Sequence, residues 1–200
     1  VVPFNDVDAL ADALAPRDVA CVLAEPAMTN IGIIHPAPGY LDAVRALTQQ
    51  TDTLLVIDET HTICTGPGGY TRAHGLQPDL LTIGKPIASG LPTAAYGMTA
   101  EVASLVHSAA TGSDGDVSGI GGTLAGNALA IAAMRVTLTE VLTDEAFART
   151  IPLGARWANG VQSVIADRKV PWSVTQLGAR AEYWFLPERP THGAEAAAGV

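Results

Sequence analysis

LLVIDETH (Leu54–His61) is an apolar run that ends in a carboxylate, and LLTIGKPIASGLP (Leu80–Pro92) is a second apolar run that ends in a lysine. Short apolar runs closed by turn-forming residues are the pattern of strands in a sheet core. Gly84 and Pro86 bracket Lys85, so the second strand stops there and the lysine side chain leaves a turn. Lys85 is one of two lysines in the chain. Burying an ammonium without a partner is expensive, so a lysine here is expected to be paired or used covalently. A desolvated lysine with Asp58 at the end of a neighbouring strand points to Schiff-base chemistry. The small residues Ala88-Ser89-Gly90-Leu91-Pro92 leave room for a ligand close to the backbone. The competing reading is the commoner fate of a lone lysine, a surface site with its stem laid along apolar neighbours.

Working outward, strand and helix periods alternate. Val7–Ala15 has the apolar spacing of a short amphipathic helix capped by Asn5 or Asp6. Val19–Ala24 is expected to be a buried strand. Leu41–Gln50 is expected to be a helix with Leu41, Val44 and Leu47 on one face. Strands follow at Leu54–Ile57, Leu80–Ile83 and Ala94–Gly97, then helices at Ala100–Ala110 and Leu124–Leu142. This alternation predicts an α/β fold, a mostly parallel sheet in a three-layer α/β/α arrangement. Ligands in such sheets gather at the C-terminal ends of the strands, where Asp58 and Lys85 both lie. Beyond residues 1–143, a long helix from Asp144 to about Asp167 leads to strands at Trp172–Gln176 and Ala181–Leu186, so residues 144–200 read as the start of a smaller α+β domain. Glu188–Val200 looks loop-like. Ser108–Gly122, rich in Gly, Ser and Asp, is either a lip over the site or an ordinary flexible loop.

Composition narrows the function. The 200 residues are 48% hydrophobic, ample for a core, and carry a formal net charge of −9 without a basic cluster, which argues against a nucleic-acid surface. The two cysteines, Cys21 and Cys64, have neither metal-ligand spacing nor a disulfide framework, so a reducing cytoplasm is the expected setting. No stretch reads as a signal peptide, a metal site or a membrane span. TGPGGY (Thr65–Tyr70) is glycine-rich but lacks a phosphate-loop ending and reads as a tight connection.

Four blocks in order resemble the class III pyridoxal-phosphate aminotransferases, which include omega-aminotransferases and glutamate-1-semialdehyde aminomutases. They are EPAMTNIGIIHPAPGYLDAVRAL (Glu25–Leu47), IDETHT (Ile57–Thr62), PDLLTIGKPIASGLPTAAYGMT (Pro78–Thr99) and GGTLAGNALAIAA (Gly121–Ala133). The resemblance covers about residues 19–140 and implies the large domain of a type I pyridoxal-phosphate transferase. It implies pyridoxal 5'-phosphate held covalently by Lys85, which also moves the substrate Cα proton. Asp58 would pair with the ring nitrogen. Thr60 stands where relatives carry an aliphatic residue on the ring face, and its methyl keeps that role. His61, near the ring's phenolic oxygen, either tunes the lysine's linkage or fills space. Thr123 matches a threonine that contacts the phosphate from the opposite subunit, which implies a homodimer with shared sites; a plain N-cap is the other reading. Glu25 and Asn30 match substrate-side positions, and Glu25 is equally explained as a strand-end carboxylate.

The implied reaction moves an amino group between an amino acid or amine and a keto acid or aldehyde, with intramolecular aminomutase chemistry as the alternative. The Asn30 block leans toward the aminomutases, while DETHTICTGPGGYTRAHG (Asp58–Gly75) leans back toward transamination. Members of the family are longer than this chain, so part of a longer enzyme, or a split or degenerate version, is expected. Two further classes remain. LLVIDETH also has the form of a nucleotide hydrolase's DExH strand, but no phosphate loop precedes it. A non-catalytic scaffold that keeps the fold is the other.

Overall fold

The computed structural model describes residues 1–111 and 121–197. Helix α1 (Val7–Leu14) is capped by Asp6, whose Oδ1 accepts the Ala9 N–H at 2.9 Å. Strand β1 (Cys21–Ala24), helix α2 (Tyr40–Gln50), strand β2 (Leu54–Asp58), helix α3 (Gly69–His74), strand β3 (Leu80–Ile83), strand β4 (Ala95–Met98) and helix α4 (Ala100–Thr111) follow. The four strands form one sheet in the order β1-β2-β3-β4. β1, β2 and β3 are parallel, with Ile57 beside Leu81 and Asp58 beside Thr82, and β4 runs antiparallel to β3. Between β3 and β4 there is only a 3-10 turn, Lys85–Ala88, too short for the helical crossover that a parallel return requires.

β2 alternates half-buried and buried residues, so Leu55 and Ile57 share one face. Against it pack Leu10 and Leu14 of α1 and Tyr40 and Val44 of α2. Asp79, just before β3, accepts both Arg45 guanidinium nitrogens of α2 at 2.6 and 3.0 Å and the Leu55 N–H at 2.8 Å, which fixes β3 against β2. β1 departs from the expected buried strand. It is shorter, alternates exposed and half-buried residues, and leaves Leu23 66% exposed, because among the described residues it is an edge strand.

Two other expectations change. The helix expected over Leu124–Leu142 begins at Ala128, with Asn127 Oδ1 accepting the Ala130 N–H at 3.1 Å. Its α-helical part (α5, Ala128–Val136) widens into a π turn over Thr137–Val141, with Leu142 N–H reaching Thr137 O at 2.8 Å. Near the end of the chain, where a loop was expected, Gly193–Ala197 forms a short helix (α7 below), held at its start by Glu195 on Thr191. The possible lip at Ser108–Gly122 falls largely on residues outside those described.

The long helix α6 (Asp144–Arg168) packs on a separate antiparallel hairpin, β5 (Ser173–Leu177) and β6 (Arg180–Trp184), with Ala158, Ile165 and Val174 at the contact; α7 closes the chain. The hairpin turn is wedged from two sides. A Cβ on Gly154 of α6 would lie 2.8 Å from the Ala179 carbonyl oxygen, and one on Gly178 would lie 2.2 Å from the Cys64 oxygen. The Ala179 N–H donates to that same Cys64 oxygen at 3.0 Å, and the Cys64 thiol donates to Leu177 O at 3.2 Å. Gly178 also sits at φ 57.

Gly178→Ala is therefore expected to lose about 1–2 kcal/mol to the left-handed backbone and about 1–3 kcal/mol to overpacking. Gly160→Ala in α6 meets nothing within 4 Å and is expected to gain about 0.4–1 kcal/mol. Urea unfolding of the two variants beside the wild type checks both signs.

Candidate active site

The β2–β3 ladder ends at Asp58 and Thr82, and the chain then turns away on a hydrogen bond from Glu59 N–H to Thr82 O at 2.8 Å. Glu59 is only 2% exposed, yet its carboxylate is satisfied. It accepts the Thr62 hydroxyl, the Tyr70 N–H at 3.1 Å and the Thr71 N–H. Both amides belong to the first turn of α3, so Glu59 is a structural anchor, and the carboxylate that a DExH hydrolase would use is occupied by the fold. Asp58 is only half-buried; its Oδ1 accepts the Thr60 N–H at 2.9 Å, a local turn that presents the carboxylate past the strand end. Thr60 Oγ1 lies 3.6 Å from where a Cβ on Gly84 would stand, so Thr60 borders the turn that carries Lys85.

Lys85 leaves β3 as expected, but it is exposed rather than desolvated in this chain. The stretch before it, Leu80–Ile83, is half-buried throughout, so it never enters a dry interior. Lys85 and Ser89, at the two ends of the 3-10 turn, both have φ 49, a conformation that costs a non-glycine residue about 1–2 kcal/mol. Part of the restraint comes from the π turn, where Ser89 Oγ and Thr137 Oγ1 are hydrogen-bonded at 2.8 Å. The direct partner of the Lys85 nitrogen is His61 Nε2.

Arg180, the first residue of β6, was given no role by the sequence reading and is the group that completes this arrangement. Its NH1 is 2.7 Å from His61 Nδ1, its NH2 donates to Thr29 O at 2.9 Å, and its Nε donates to Glu182 at 2.7 Å. Thr29 is 1% exposed and donates its hydroxyl to Glu25, so the strand-end carboxylate of Glu25 holds the loop that carries an Arg180 acceptor. The one sequence signal for Arg180 was its place after the Leu177-Gly178-Ala179 turn at the start of a strand. Asn30 lies exposed at the tip of the Met28–Ile34 bridge, and Gly32 behind it (φ 86) lets Trp184 approach, since a Cβ there would meet its ring at 2.4 Å.

Thr123 is not at a helix start: it is exposed in a turn ahead of Asn127, the residue that caps α5. The helix start expected at Thr123 lies instead at Asn127, so a contact from Thr123 to an anion would come from its hydroxyl in the turn and not from a helix N-terminus. Among the described residues no group of His, Cys, Asp and Glu could hold a metal ion, and no helix is long and apolar enough to cross a membrane.

Residues 3–182 match the family model described as aminotransferase class-III. A glutamate-1-semialdehyde 2,1-aminomutase from Chloroflexus aggregans is 36% identical over 190 residues, which are 92% of this chain and 42% of that protein. The crystal structure of a glutamate-1-semialdehyde-aminomutase variant from Pseudomonas aeruginosa in complex with PMP is similar with a TM-score of 0.94 and 45% identity, covering 100% of this chain and 45% of the other. A β-phenylalanine aminotransferase from Variovorax paradoxus gives a TM-score of 0.86 at 28% identity, covering 99% and 45%. The chain thus spans less than half the length of the proteins it matches.

Burial first, then the Lys85 and Arg180 charges, hold the His61 pKa below its ordinary 6.5, against the opposite pull of Glu25 and Asp58. The unfolded chain therefore binds this proton more readily than the folded one. Stability is full above pH 6.5 and falls as pH drops from there through the lowered folded value. Burial lowers His35 as well, with the same sign. Denaturant midpoints measured between pH 8 and pH 5 are expected to fall less steeply in His61→Gln than in the wild type, with the His35 share of the slope retained.

Proposed function

This chain belongs to the class III aminotransferase family, and we propose that it carries the catalytic lysine of an enzyme that moves an amino group between an amino acid or amine and a keto acid or aldehyde. The observation that carries this reading is the placement of Asp58 at the end of β2 and of Lys85 just past the end of β3, the adjacent parallel strand. The donor set fits pyridoxal 5'-phosphate: an amine for its aldehyde, and a carboxylate whose Oδ2 receives no donor among the described residues. Bound there, the cofactor would supply an electron sink for charge developing at the substrate Cα.

The chain's own residues then divide the work. Lys85 would hold the cofactor covalently and carry the proton to and from the substrate Cα. Asp58 would keep the ring nitrogen protonated, which a neutral acceptor could not do. Thr60, whose hydroxyl borders Gly84, would offer its methyl to the ring face, and His61 stands against the Lys85 nitrogen. Asn30, exposed at its turn, is assigned to the substrate side, with Glu25 acting through Thr29. Residues 1–143 would supply part of the cofactor domain and 144–200 the start of the smaller one, a division supported by the separate β5–β6 sheet.

A homodimer with shared sites is supported by the apolar side chains exposed around Thr123. Leu124 is 80% exposed, Leu129 67%, and Ile131 46%. Two free cysteines favour a reducing, cytoplasmic setting. Greater identity to the aminomutases than to the β-phenylalanine aminotransferase favours a second reading, intramolecular migration of the amino group. Net transfer between two separate molecules supports the aminotransferase; migration within one substrate alone replaces it with the aminomutase.

Incubation with pyridoxal phosphate followed by borohydride should mark the Lys85 peptide, and label confined to Lys169 refutes the reading. Lys85→Ala is expected to abolish turnover while leaving the fold intact. Asp58→Asn should lower the rate roughly 10²–10³-fold, the usual cost of losing one preorganised charge partner, and a near-wild-type rate would reduce Asp58 to a turn-former.

Thr123→Val is expected to weaken cofactor binding about ten- to a hundred-fold, the worth of a hydrogen bond to a charged group. In heterodimers with Lys85→Ala chains, activity per dimer at limiting cofactor should return to about half that of the wild type, because one of the two sites then has both residues intact. Heterodimers without recovered activity place Thr123 outside the shared site.

A further inference from the structure

The Arg180–His61–Lys85 line contains two contacts whose proton positions are not free. A guanidinium carries only N–H donors and is not deprotonated in proteins. His61 Nδ1, 2.7 Å from Arg180 NH1, must therefore be the acceptor in that contact. A neutral imidazole has one proton, so it resides on Nε2, the atom that meets Lys85 Nζ. An Nε2–H needs a lone pair in front of it. An ammonium has none, whereas the neutral amine has one, and the amine is the nucleophilic form.

We propose that Arg180 is a positioning residue that locks His61 in the Nε2–H tautomer, so that His61 points an N–H donor at the Lys85 nitrogen, a partner that the nucleophilic amine form can accept and the ammonium form cannot. The three parts of the guanidinium are directed to three different acceptors. Nε donates to Glu182, NH1 to His61 and NH2 to Thr29 O. Thr29 is in turn tied to Glu25, so the fork cannot rotate away from His61 without losing several bonds together. The other tautomer would set Nδ1–H against a guanidinium N–H. The imidazolium would leave no lone pair for Arg180 and would set a second positive charge against the guanidinium, and burial holds His61 toward its neutral form. The tautomer is a property of the chain itself; its meaning for catalysis rests on the assignment of Lys85 as the cofactor lysine.

Both parts can be read on the cofactor-free protein. The ¹⁵N shifts of the imidazole nitrogens, assigned through His61→Gln, are expected to show a protonated Nε2 and a bare Nδ1 on His61 at pH 8. Arg180→Met should populate the Nδ1–H tautomer, while Arg180→Lys, still a pure donor, should restore much of the original state. In parallel, amine acylation followed by peptide mass spectrometry compares Lys85 with Lys169, the other lysine of the chain, as an internal standard. The Lys85-to-Lys169 ratio should fall roughly three- to ten-fold in Arg180→Met and in His61→Phe, as expected for losing one ordinary hydrogen bond. A wild-type His61 protonated on Nδ1 overturns the proposal, and this holds even if Arg180→Met does not fold. An unchanged ratio in both variants overturns it as well. If the tautomer and the ratio behave as stated but pyridoxal phosphate and borohydride leave Lys85 unmarked, the functional assignment falls and the positioning role of Arg180 stands.

Discussion

The buried carboxylate of Glu59 decides how the chain leaves β2. It sits one residue past the end of β2, and its oxygens receive the Thr62 hydroxyl and two backbone amides of α3. A buried charge must be satisfied in this way or it destabilises the fold by several kcal/mol. Gly69, at φ 67, is what admits it, since a Cβ there would stand 2.6 Å from a Glu59 oxygen. The chain is thereby bent sharply at the C-terminal end of β2. Asp58 faces one way out of the ladder, Glu59 is drawn inward, and Thr60 and His61 are brought over the end of β3. The same four residues in a straight strand would scatter these groups to alternate faces.

The turn at Lys85 is held from elsewhere. Ser89 closes it, and the hydroxyl that restrains Ser89 belongs to Thr137, the first residue of the π turn after α5. A π turn shifts the following side chains around the helix axis relative to a regular helix, and such turns are frequent at functional sites. Here it places a buried hydroxyl, 3% exposed, against a lysine-bearing turn. Two irregular pieces of backbone therefore support each other, which is how a conformation that is unfavourable in isolation persists.

Local sequence patterns revealed what depends on local physics. Leu80–Ile83 was legible as a strand because apolar residues run up to a Gly-Lys-Pro stop, and Asp58 because a carboxylate ends an apolar run. Thr60 and His61 followed from their adjacency to it. Lys85 was read as desolvated because a lone cation in an uncharged stretch suggests burial, yet burial depends on what surrounds the turn, and that is not written in its own neighbours. Thr123 was read as a helix start because Gly-Gly-Thr ahead of small residues resembles one, whereas Asn127 outcompetes it as a cap. Arg180 was invisible for a different reason. Its contact with His61 spans 119 residues and is set by the docking of a hairpin, which no periodicity encodes.

That docking has a consequence beyond shape. The turn at Gly178 and Ala179 is gripped between Cys64, in the short 3-10 turn Thr62–Thr65, and Gly154 of α6, with no side chain between them to act as a cushion. Arg180 follows immediately, so its guanidinium reports the seating of the hairpin as a gauge pin reports the closure of a mould. The seating of the β5–β6 unit thus sets, from 119 residues away, which proton address on the imidazole beside Lys85 is compatible with the guanidinium.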